Sequence, residues 1–445
     1  MTRGADQDLP ASSQAALPVS RRSVIGAAAG ALVLAGGVPV TVSEAVAIER
    51  GGPADKAWKD YLRVIDEARE LALISRWAAS PQLAAQAMYY VSMLQAFGFN
   101  LYMAPRQAFP TFFSHTIFTP VEYAWGAPSP DFRYHWTAID GRRAYRIWGT
   151  RGNTSWLDIQ AQRGWWGDAD QTNLGNWDVD NFRKDADGSF EIIASATEHK
   201  ANWIRLDPSA RNICLLVRDI WDDWENNVGA TLHIECLDRD AAESTLLTQE
   251  QIAERLGKIA YQTKFSVQWF QNDMQKTLDG AGGVNRFWLP DRSTANLGGN
   301  PKASYVKMVY DLQPDDALII ECELPNARYW SLQLADPWYQ TTEYRFHQSS
   351  LNNRQAHIDA DRKVRMVLSL RDPGVSNWID PSGLPYGLAQ WRWYLSDRHP
   401  APTVRKVAVA EVRRSLPEKT PVVSTSERAV AIARRERQVA RRFGF

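Results

Sequence analysis

The chain has 445 residues, of which 44% are hydrophobic, so it can form two or three domains with a sizeable core. Its 51 basic and 51 acidic residues leave no net charge, which argues against nucleic acid as a partner. The 19 tryptophans far exceed ordinary usage, so a tryptophan-lined ligand surface has to be weighed against a tryptophan-rich core.

Residues 1–47 have the pattern of a twin-arginine export signal. Arg21 and Arg22 precede a stretch rich in Ala, Gly and Val, and the small residues at 45–47 supply a cleavage site. We therefore expect export by the twin-arginine pathway to the periplasm, the cell envelope or the medium, with an uncleaved anchor as the alternative. No later apolar segment is long enough to cross a bilayer, so we predict no membrane span after signal removal.

Helical periodicity is found in three parts of the chain. Apolar residues at helical spacing predict a pair of helices over 54–105. Thr248 and Gln251 have the spacing of a capping box, which predicts that a connecting helix occupies 246–280. Residues 424–445 are predicted to form a basic helix, and a solvated terminal helix explains that pattern more simply than a membrane or partner contact.

Two stretches of similar sequence indicate an internal duplication, because residues 185–218 match residues 359–392. The matched pairs are Asp185 and Asp359, Ser195 and Ser369, Asn202 and Asn377, Trp203 and Trp378, and Arg218 and Arg392. Short strand patterns separated by turn residues favour antiparallel sandwiches of the jelly-roll type. We therefore predict an α+β, mainly β fold with two β-sandwich repeats, at 130–236 and 303–400, and accessory helices.

Several segments also carry a family resemblance. They include Tyr145-Arg-Ile, Asp187-Gly-Ser-Phe-Glu-Ile, Asn202-Trp-Ile-Arg-Leu, and Ala327-Arg-Tyr-Trp-Ser-Leu. These segments resemble the family called domain of unknown function 1214, which occurs in exported actinobacterial proteins, often beside the sister domain of unknown function 1254. The resemblance covers most of the chain after the signal. It implies a jelly-roll-like β domain with accessory helices, and it assigns no activity and no catalytic residue.

Features that both copies share are expected to belong to the scaffold. We expect Asp185 and Asp359 to cap their turns and the matched tryptophans to fill the sheets. Arg218 and Arg392 end apolar strands, so each needs a partner when buried, and the matched aspartates are the predicted partners.

Segments that differ between the copies are the better candidates for a ligand site. Interleaved aromatic and acidic residues suit sugars, because indole rings stack on pyranose faces while carboxylates bind hydroxyl groups. The predicted ligand-binding residues are Trp165, Trp166, Trp177, Trp338, Tyr339, Tyr344, Arg345 and His347. The same residues could instead cap the open end of a sandwich, and both interpretations stay open.

An enzymatic function would require two carboxylates facing each other across the mouth of a sandwich. The candidate acids and bases are Asp168, Asp170, Asp178 and Asp180 on one side and Glu321 and Glu323 on the other. The leading hypothesis is therefore a protein that binds a glycan or another small organic molecule, with catalysis left open. The alternative is a non-catalytic scaffold or a partner-binding protein.

No metal or cofactor site is predicted. The seven histidines are scattered without an H-x-H motif, and there is no P-loop, dinucleotide-binding turn or nucleophile elbow. Cys214, Cys236 and Cys322 are expected to be small core residues, with a disulfide between Cys214 and Cys236 as the alternative. The oligomeric state is not predicted.

Overall fold

The computed structural model describes residues 51–114, 124–165, 167–289 and 300–444. The predicted export signal and Trp166 lie outside these ranges. The α-helices of the described residues are Pro53–Leu73 (α1), Pro81–Gly98 (α2), Gln249–Ala281 (α3), Val412–Ser415 (α4) and Thr425–Phe443 (α5). None of them is both long and apolar enough to cross a membrane.

The strands of the first half are Phe113–Ser114 (β1), Phe132–Ile139 (β2), Tyr145–Thr150 (β3), Trp156–Arg163 (β4), Thr172–Asp178 (β5), Ser189–Ser195 (β6), Trp203–Arg205 (β7), Ile213–Ile220 (β8) and Thr231–Cys236 (β9). Those of the second half are Ala303–Asp311 (β10), Asp316–Glu323 (β11), Ala327–Ala335 (β12), Ser350–Asn352 (β13), Lys363–Ser369 (β14), Trp378–Ile379 (β15), Tyr386–Ser396 (β16) and Thr403–Ala408 (β17).

The strand order confirms the predicted duplication. The first repeat pairs β2-β8-β4-β5 in one sheet, extended by β1, and β7-β6-β3-β9 in the other. The second repeat pairs β10-β16-β12-β13 and β15-β14-β11-β17, which is the same order counted from β10 instead of β2. Pairing is antiparallel except for β6 with β7 and β14 with β15. The fold is therefore α+β, mainly β, and built from two sandwich repeats with accessory helices.

Each repeat has its own core, because alternate residues of its two sheets point inward. Ile147, Ile192 and Leu215 are fully buried in the first core, and Ile320, Leu368 and Trp391 in the second. A further core joins the helices to the repeats. There α1, α2 and α3 pack together, and buried aromatic residues from both halves of the chain fill the space between them.

The helix ends follow the local sequence. The Thr248 hydroxyl accepts a hydrogen bond from the Gln251 backbone N–H at 3.2 Å, and the Gln251 side-chain oxygen accepts one from the Thr248 backbone N–H at 2.9 Å, so the predicted capping box forms. The same arrangement at Ser424 and Glu427 begins α5. Gly282, with a φ of 67°, ends α3 in the left-handed conformation that suits glycine.

The matched Asn-Trp-Ile segments are scaffold, as expected. The indole N–H groups of Trp203 and Trp378 donate to the carbonyl groups of Ser195 and Ser369 at 3.1 and 3.0 Å. The prediction that Asp185 and Asp359 cap their turns is wrong. The caps come from the carboxylates two residues later, which accept from the backbone N–H groups of Ser189 and Lys363, because those carboxylates lie beside the first strand residue.

All three cysteines are free thiols. Cys214 and Cys322 are buried and Cys236 is half-buried. Burial raises the pKa of the Cys322 thiol to about 12, so that thiol is protonated and unreactive at neutral pH. The disulfide alternative for Cys214 and Cys236 is therefore not formed in this structure.

Candidate functional site between the repeats

Four of the predicted aromatic ligand residues lie in the protein core. Trp338 and Tyr344 are fully buried, and Trp165 and Tyr339 retain only 4% and 2% of their exposure. Trp338 stacks on Tyr90 of α2 with 6.2 Å between ring centroids. These side chains stabilise the packing of the helices and loops. The sequence analysis had left open such a structural role as the alternative to ligand binding.

The other three predicted ligand residues within the described ranges have separate neighbours. The Trp177 ring lies against Gly175, where a β-carbon would come within 2.5 Å of it. Arg345 pairs with Glu343 at 3.1 Å, and the His347 Nδ1 atom lies 2.8 Å from Asp380. Each of these three residues therefore has its own neighbour.

Three of the six predicted acids and bases are held in ion pairs. Asp178 and Asp180 both approach Arg328, at 3.3 and 3.2 Å. Glu321 pairs with Lys363 and Arg365 at 2.7 Å each, and the hydrogen bond from Lys363 lowers the pKa of Glu321. The remaining three are Asp168, which accepts from the Trp165 backbone N–H, and the exposed residues Asp170 and Glu323.

The prediction that the matched aspartates neutralise Arg218 and Arg392 is also wrong. Asp185 and Asp359 precede strands of the opposite sheet in each sandwich, so they are not in register with these arginines. Arg218 instead donates to the Gln160 amide oxygen at 2.8 Å and lies 3.6 Å from the Asp158 carboxylate. Both partners come from β4, which pairs directly with the strand of Arg218.

Arg218 and Arg392 lie where the outer faces of two sheets meet, one from each repeat. We call this contact the inter-repeat layer. Its members are Tyr134, Asp158, Gln160 and Arg218 from the first repeat and Tyr305, Ser331, Gln333, Arg392 and Tyr394 from the second. The strand registers pair Tyr134 with Arg218 and Tyr305 with Arg392, so the two repeats contribute equivalent Tyr/Arg pairs.

Contacts across the layer join the repeats. Tyr394 packs edge-on against Trp156 and Phe132 of the first repeat, with centroid distances of 5.6 and 5.4 Å. Gln333 donates its amide hydrogens to the carbonyl groups of Ala127 and Pro128 at 3.1 and 3.2 Å. The layer is therefore a continuous polar and aromatic interior and not a loose surface contact.

The electrostatics of the layer also cross the repeat boundary. Burial raises the pKa of Tyr134, and the positive charge of Arg392 from the other repeat opposes that shift. Burial raises the pKa of Tyr394 well above its usual value, while the charge of Arg218 acts in the opposite direction. Each arginine therefore interacts electrostatically with a tyrosine of the opposite repeat.

Asp158 is the carboxyl group of the layer. It is completely buried, and its Oδ2 atom accepts from Asn300 at 2.7 Å and from Asn176 at 3.3 Å. Burial raises the pKa of Asp158 to about 6, although the charge of Arg218 acts against that rise. Both the protonated and the ionised form are therefore populated slightly below neutral pH, which suits a group that exchanges protons.

Arg392 differs from the other buried cations on this face. Arg218 has Asp158, and Lys307 pairs with Asp273 at 2.5 Å. Arg392 donates to the carbonyl group of Ala127, and Gln390 accepts from it through its amide oxygen in the orientation that satisfies both groups. Among the described residues no carboxylate pairs with Arg392, so its buried charge is balanced only by neutral acceptors.

The inter-repeat layer contains buried polar atoms without hydrogen-bond partners. Within the described ranges, the Ser331 hydroxyl, the Gln333 amide oxygen and the Asp158 Oδ1 atom have no hydrogen-bond partner although all three are buried. Tyr134 and Tyr305, beside the two arginines, keep part of their surface accessible. The arrangement can bind a small molecule that offers an anionic group to Arg392 and a hydrogen-bond donor to the unpaired oxygens.

The inter-repeat layer was not predicted as a site, because the predicted site residues lie mostly in segments that differ between the copies. The signal that could have found it is the matched Arg218 and Arg392, which the duplication had already revealed. A second signal is the alternation of Phe132, Tyr134 and Trp136 on β2, whose side chains share one face of the strand.

The described part of the chain contains no cluster of three His, Cys, Asp or Glu residues that could hold a metal ion. The fold and the layer together define a duplicated β-sandwich protein whose interior contains buried arginines and tyrosines between its repeats.

The chain is similar to a solved structure of an uncharacterised protein from Burkholderia cenocepacia. The two share 27% sequence identity with a TM-score of 0.74, over 80% of this chain and 97% of that one. A protein from Vibrio parahaemolyticus shares 12% identity over 77% of this chain and 100% of its own, but its TM-score of 0.42 establishes no structural equivalence. No family model and no curated protein matches the sequence.

Proposed function

We propose that this chain is an exported protein that binds a small organic molecule carrying a carboxylate or phosphate group in the inter-repeat layer. The observation that carries the proposal is the buried guanidinium of Arg392, which has no carboxylate partner among the described residues. A planar guanidinium matches the two oxygens of a carboxylate, so a ligand anion would neutralise the charge and supply two hydrogen bonds.

The surroundings favour a sugar acid over a simple inorganic anion. Tyr134 and Tyr305 are half-buried aromatic residues beside the two arginines, and a tyrosine ring can stack on a pyranose ring. The unpaired amide oxygen of Gln333, on the strand that pairs with that of Arg392, can accept a hydrogen bond from a hydroxyl group of the ring. A uronic acid has both a carboxylate and a pyranose ring with hydroxyl groups. It also belongs to the glycan class of ligand that the sequence suggested.

Asp158 is the proposed acid or base if the bound molecule is processed. It is buried beside Arg218, and its pKa of about 6 permits proton transfer near neutral pH. Asp158 thus takes the acid or base role that the sequence analysis had assigned to carboxylates such as Asp168 and Glu321. The alternative, a non-catalytic scaffold, is favoured by the burial of Trp165 and Trp338, which removes two predicted ligand residues from solvent.

Membership of the family of domain of unknown function 1214 and export by the twin-arginine pathway are part of the same proposal. The support for the first is the set of sequence segments that resemble that family, and for the second the Arg21-Arg22 pattern.

Thermal unfolding with and without sugars tests the binding proposal. The probes are D-glucuronate, D-glucose and inorganic phosphate, and the variants are Arg392→Met and Arg435→Met. Arg435 is a matched control because it is buried, bonds to the carbonyl groups of Tyr344 and Ser350, and lies on α5 outside the layer. At 100 times the Kd, D-glucuronate should raise the Tm by about 3 °C.

We expect D-glucuronate to stabilise the wild type and the Arg435→Met variant and to have no effect on the Arg392→Met variant. Any shift with glucose should be the same in the wild type and the Arg392→Met variant, because glucose carries no charge for Arg392. A glucuronate shift that is unchanged in the Arg392→Met variant would overturn the proposed site. A shift with phosphate alone would retain Arg392 as an anion site and exclude the sugar ring.

A further inference from the structure

A second cavity lies outside the inter-repeat layer, between α2 and the turn that follows β12. Its volume is about 250 Å³. The side chains that decide its chemistry are Gln82, Gln86 and Tyr89 from α2 and Asp336, Gln340 and Thr342 from the turn. The turn is part of the segment that distinguishes the second repeat from the first, and its neighbours Trp338 and Tyr339 are buried.

The wall formed by the turn is rigid. The Asp336 carboxylate accepts from the backbone N–H groups of Trp338 and Gln340 at 2.9 Å each, and from the Gln340 side-chain amide at 2.7 Å. Trp338 stacks on Tyr90, which anchors the turn to α2. The Gln340 side chain is therefore held by its nitrogen, and its oxygen is left for another donor.

Two buried polar atoms of this wall lack hydrogen bonds. The Gln340 amide oxygen and the Thr342 hydroxyl have no partner within the described ranges, although their residues are only 6% and 5% exposed. A buried polar group without a partner lowers stability, so such groups usually mark a place where a water or a ligand binds. Both residues line the cavity.

The remaining lining favours a neutral ligand that donates hydrogen bonds. No lysine or arginine is among the described residues that line the cavity. Of its two carboxyl groups, Asp336 already accepts three N–H groups, and Glu343 pairs with Arg345 at 3.1 Å. Burial also raises the pKa of Asp336 to about 7, so its negative charge is reduced near neutral pH. These features argue against an anion.

Size and aromatic surface limit the ligand further. The cavity is smaller than the roughly 300–1,000 Å³ typical of sites for drug-sized molecules, so it suits one ring and not a chain of rings. Tyr89 is 51% exposed and lines the cavity. Amide oxygens, hydroxyl groups and one exposed aromatic ring are the groups that bind the polar edge and the C–H face of a sugar.

We propose that this cavity is a binding site for a single neutral sugar ring, with Tyr89 as the stacking platform and Gln340 and Thr342 as hydrogen-bonding partners of its hydroxyl groups. The site is separate from the layer that contains Arg392, and it does not depend on the anion proposed there.

Saturation-transfer NMR on the full chain tests the proposal, with D-glucose, D-mannose, N-acetyl-D-glucosamine and myo-inositol as probes. We expect at least one of the three sugars to receive saturation from the wild type. Tyr89→Ala should weaken that binding about 10-fold, because a stacked ring contributes about 1–1.5 kcal/mol. Met88→Ala is the matched control, since Met88 is exposed on the same helix and does not line the cavity.

Thr342→Val tests whether the hydroxyl group of Thr342 binds the sugar or only supports the structure. Removing an unpaired buried hydroxyl should raise the Tm of the ligand-free protein, and it should also weaken sugar binding. Arg392→Met should leave sugar binding unchanged, which separates this site from the inter-repeat layer. The proposal is overturned if none of the sugars receives saturation, if myo-inositol alone does, or if Tyr89→Ala and Thr342→Val both bind like the wild type.

Discussion

Replacing Asp158 with asparagine should flatten the pH dependence of stability between pH 5 and pH 7. The carboxyl group is completely buried, and burial raises its pKa from 3.8 to about 6. Arg218 lies 3.6 Å away and only partly opposes that rise. Asparagine resembles the protonated form in shape but does not titrate, so the substitution removes the proton-linked part of the stability.

The sign follows from the direction of the shift. Because the pKa of Asp158 is higher in the folded than in the unfolded protein, the folded state binds the proton more tightly. This contribution to stability is fully present below the unfolded pKa of 3.8 and is lost as the pH rises through about 6. The whole shift corresponds to about 3 kcal/mol, of which about 1.3 kcal/mol is lost between pH 5 and pH 7.

Urea unfolding at half-unit pH steps measures this difference. The free energy of unfolding of the wild type should fall with pH by about 1.3 kcal/mol more than that of Asp158→Asn over this interval. Asp170→Asn serves as the control because Asp170 is exposed, and its curve should run parallel to the wild type. The absolute stability of Asp158→Asn will also change, since Arg218 loses its carboxylate. Parallel curves for the wild type and Asp158→Asn would refute the assignment.

Three further outcomes follow from the fold and the sequence. Trp338→Ala should lower the free energy of unfolding by about 3–5 kcal/mol in urea titrations, because the side chain is completely buried. Replacing both Arg21 and Arg22 with lysine should leave the protein in the cytoplasmic fraction on immunoblots of fractionated cells. Arg362→Gly should raise the free energy of unfolding by about 1 kcal/mol, since Arg362 has a φ of 62° where the first repeat has Gly188.

Matched controls separate these effects from general damage. Trp58→Ala removes a tryptophan that is 51% exposed, and a loss equal to that of Trp338→Ala would contradict the core assignment. Normal export of the double lysine variant would exclude the twin-arginine pathway. Arg362→Ala keeps a β-carbon in the left-handed conformation, so it should give no gain, and an equal gain would show that the backbone is not the cause.

The sequence predicted the architecture because the informative contacts are local. Trp203 bonds to Ser195 eight residues away, and Trp378 bonds to Ser369 nine residues away. Such contacts leave the same residues at nearly the same spacing in both copies, so two stretches of one chain can be compared directly. The capping box predicted at Thr248 is local in the same sense, and it formed.

The site was not predicted because its contacts are long-range. Nothing near Trp165 or Trp338 in the sequence indicates that α2 and α3 cover these rings, so their aromatic content suggested a ligand surface. Arg392 meets Ala127, which lies 265 residues earlier in the chain. Such contacts decide which sheet faces of the two repeats pack together. The residue pattern along a single strand does not contain that information.

The two repeats have diverged where they face each other, and this divergence gives the layer its chemistry. The strand registers place Asp158 opposite Arg218 and Ser331 opposite Arg392 at equivalent positions. One arginine therefore has a built-in carboxylate, and the equivalent arginine has a hydroxyl group with no partner in the described chain. Ser331 therefore leaves the buried Arg392 without the carboxylate that its counterpart Arg218 has in Asp158, and this difference is the reason to test Arg392 for an anionic ligand.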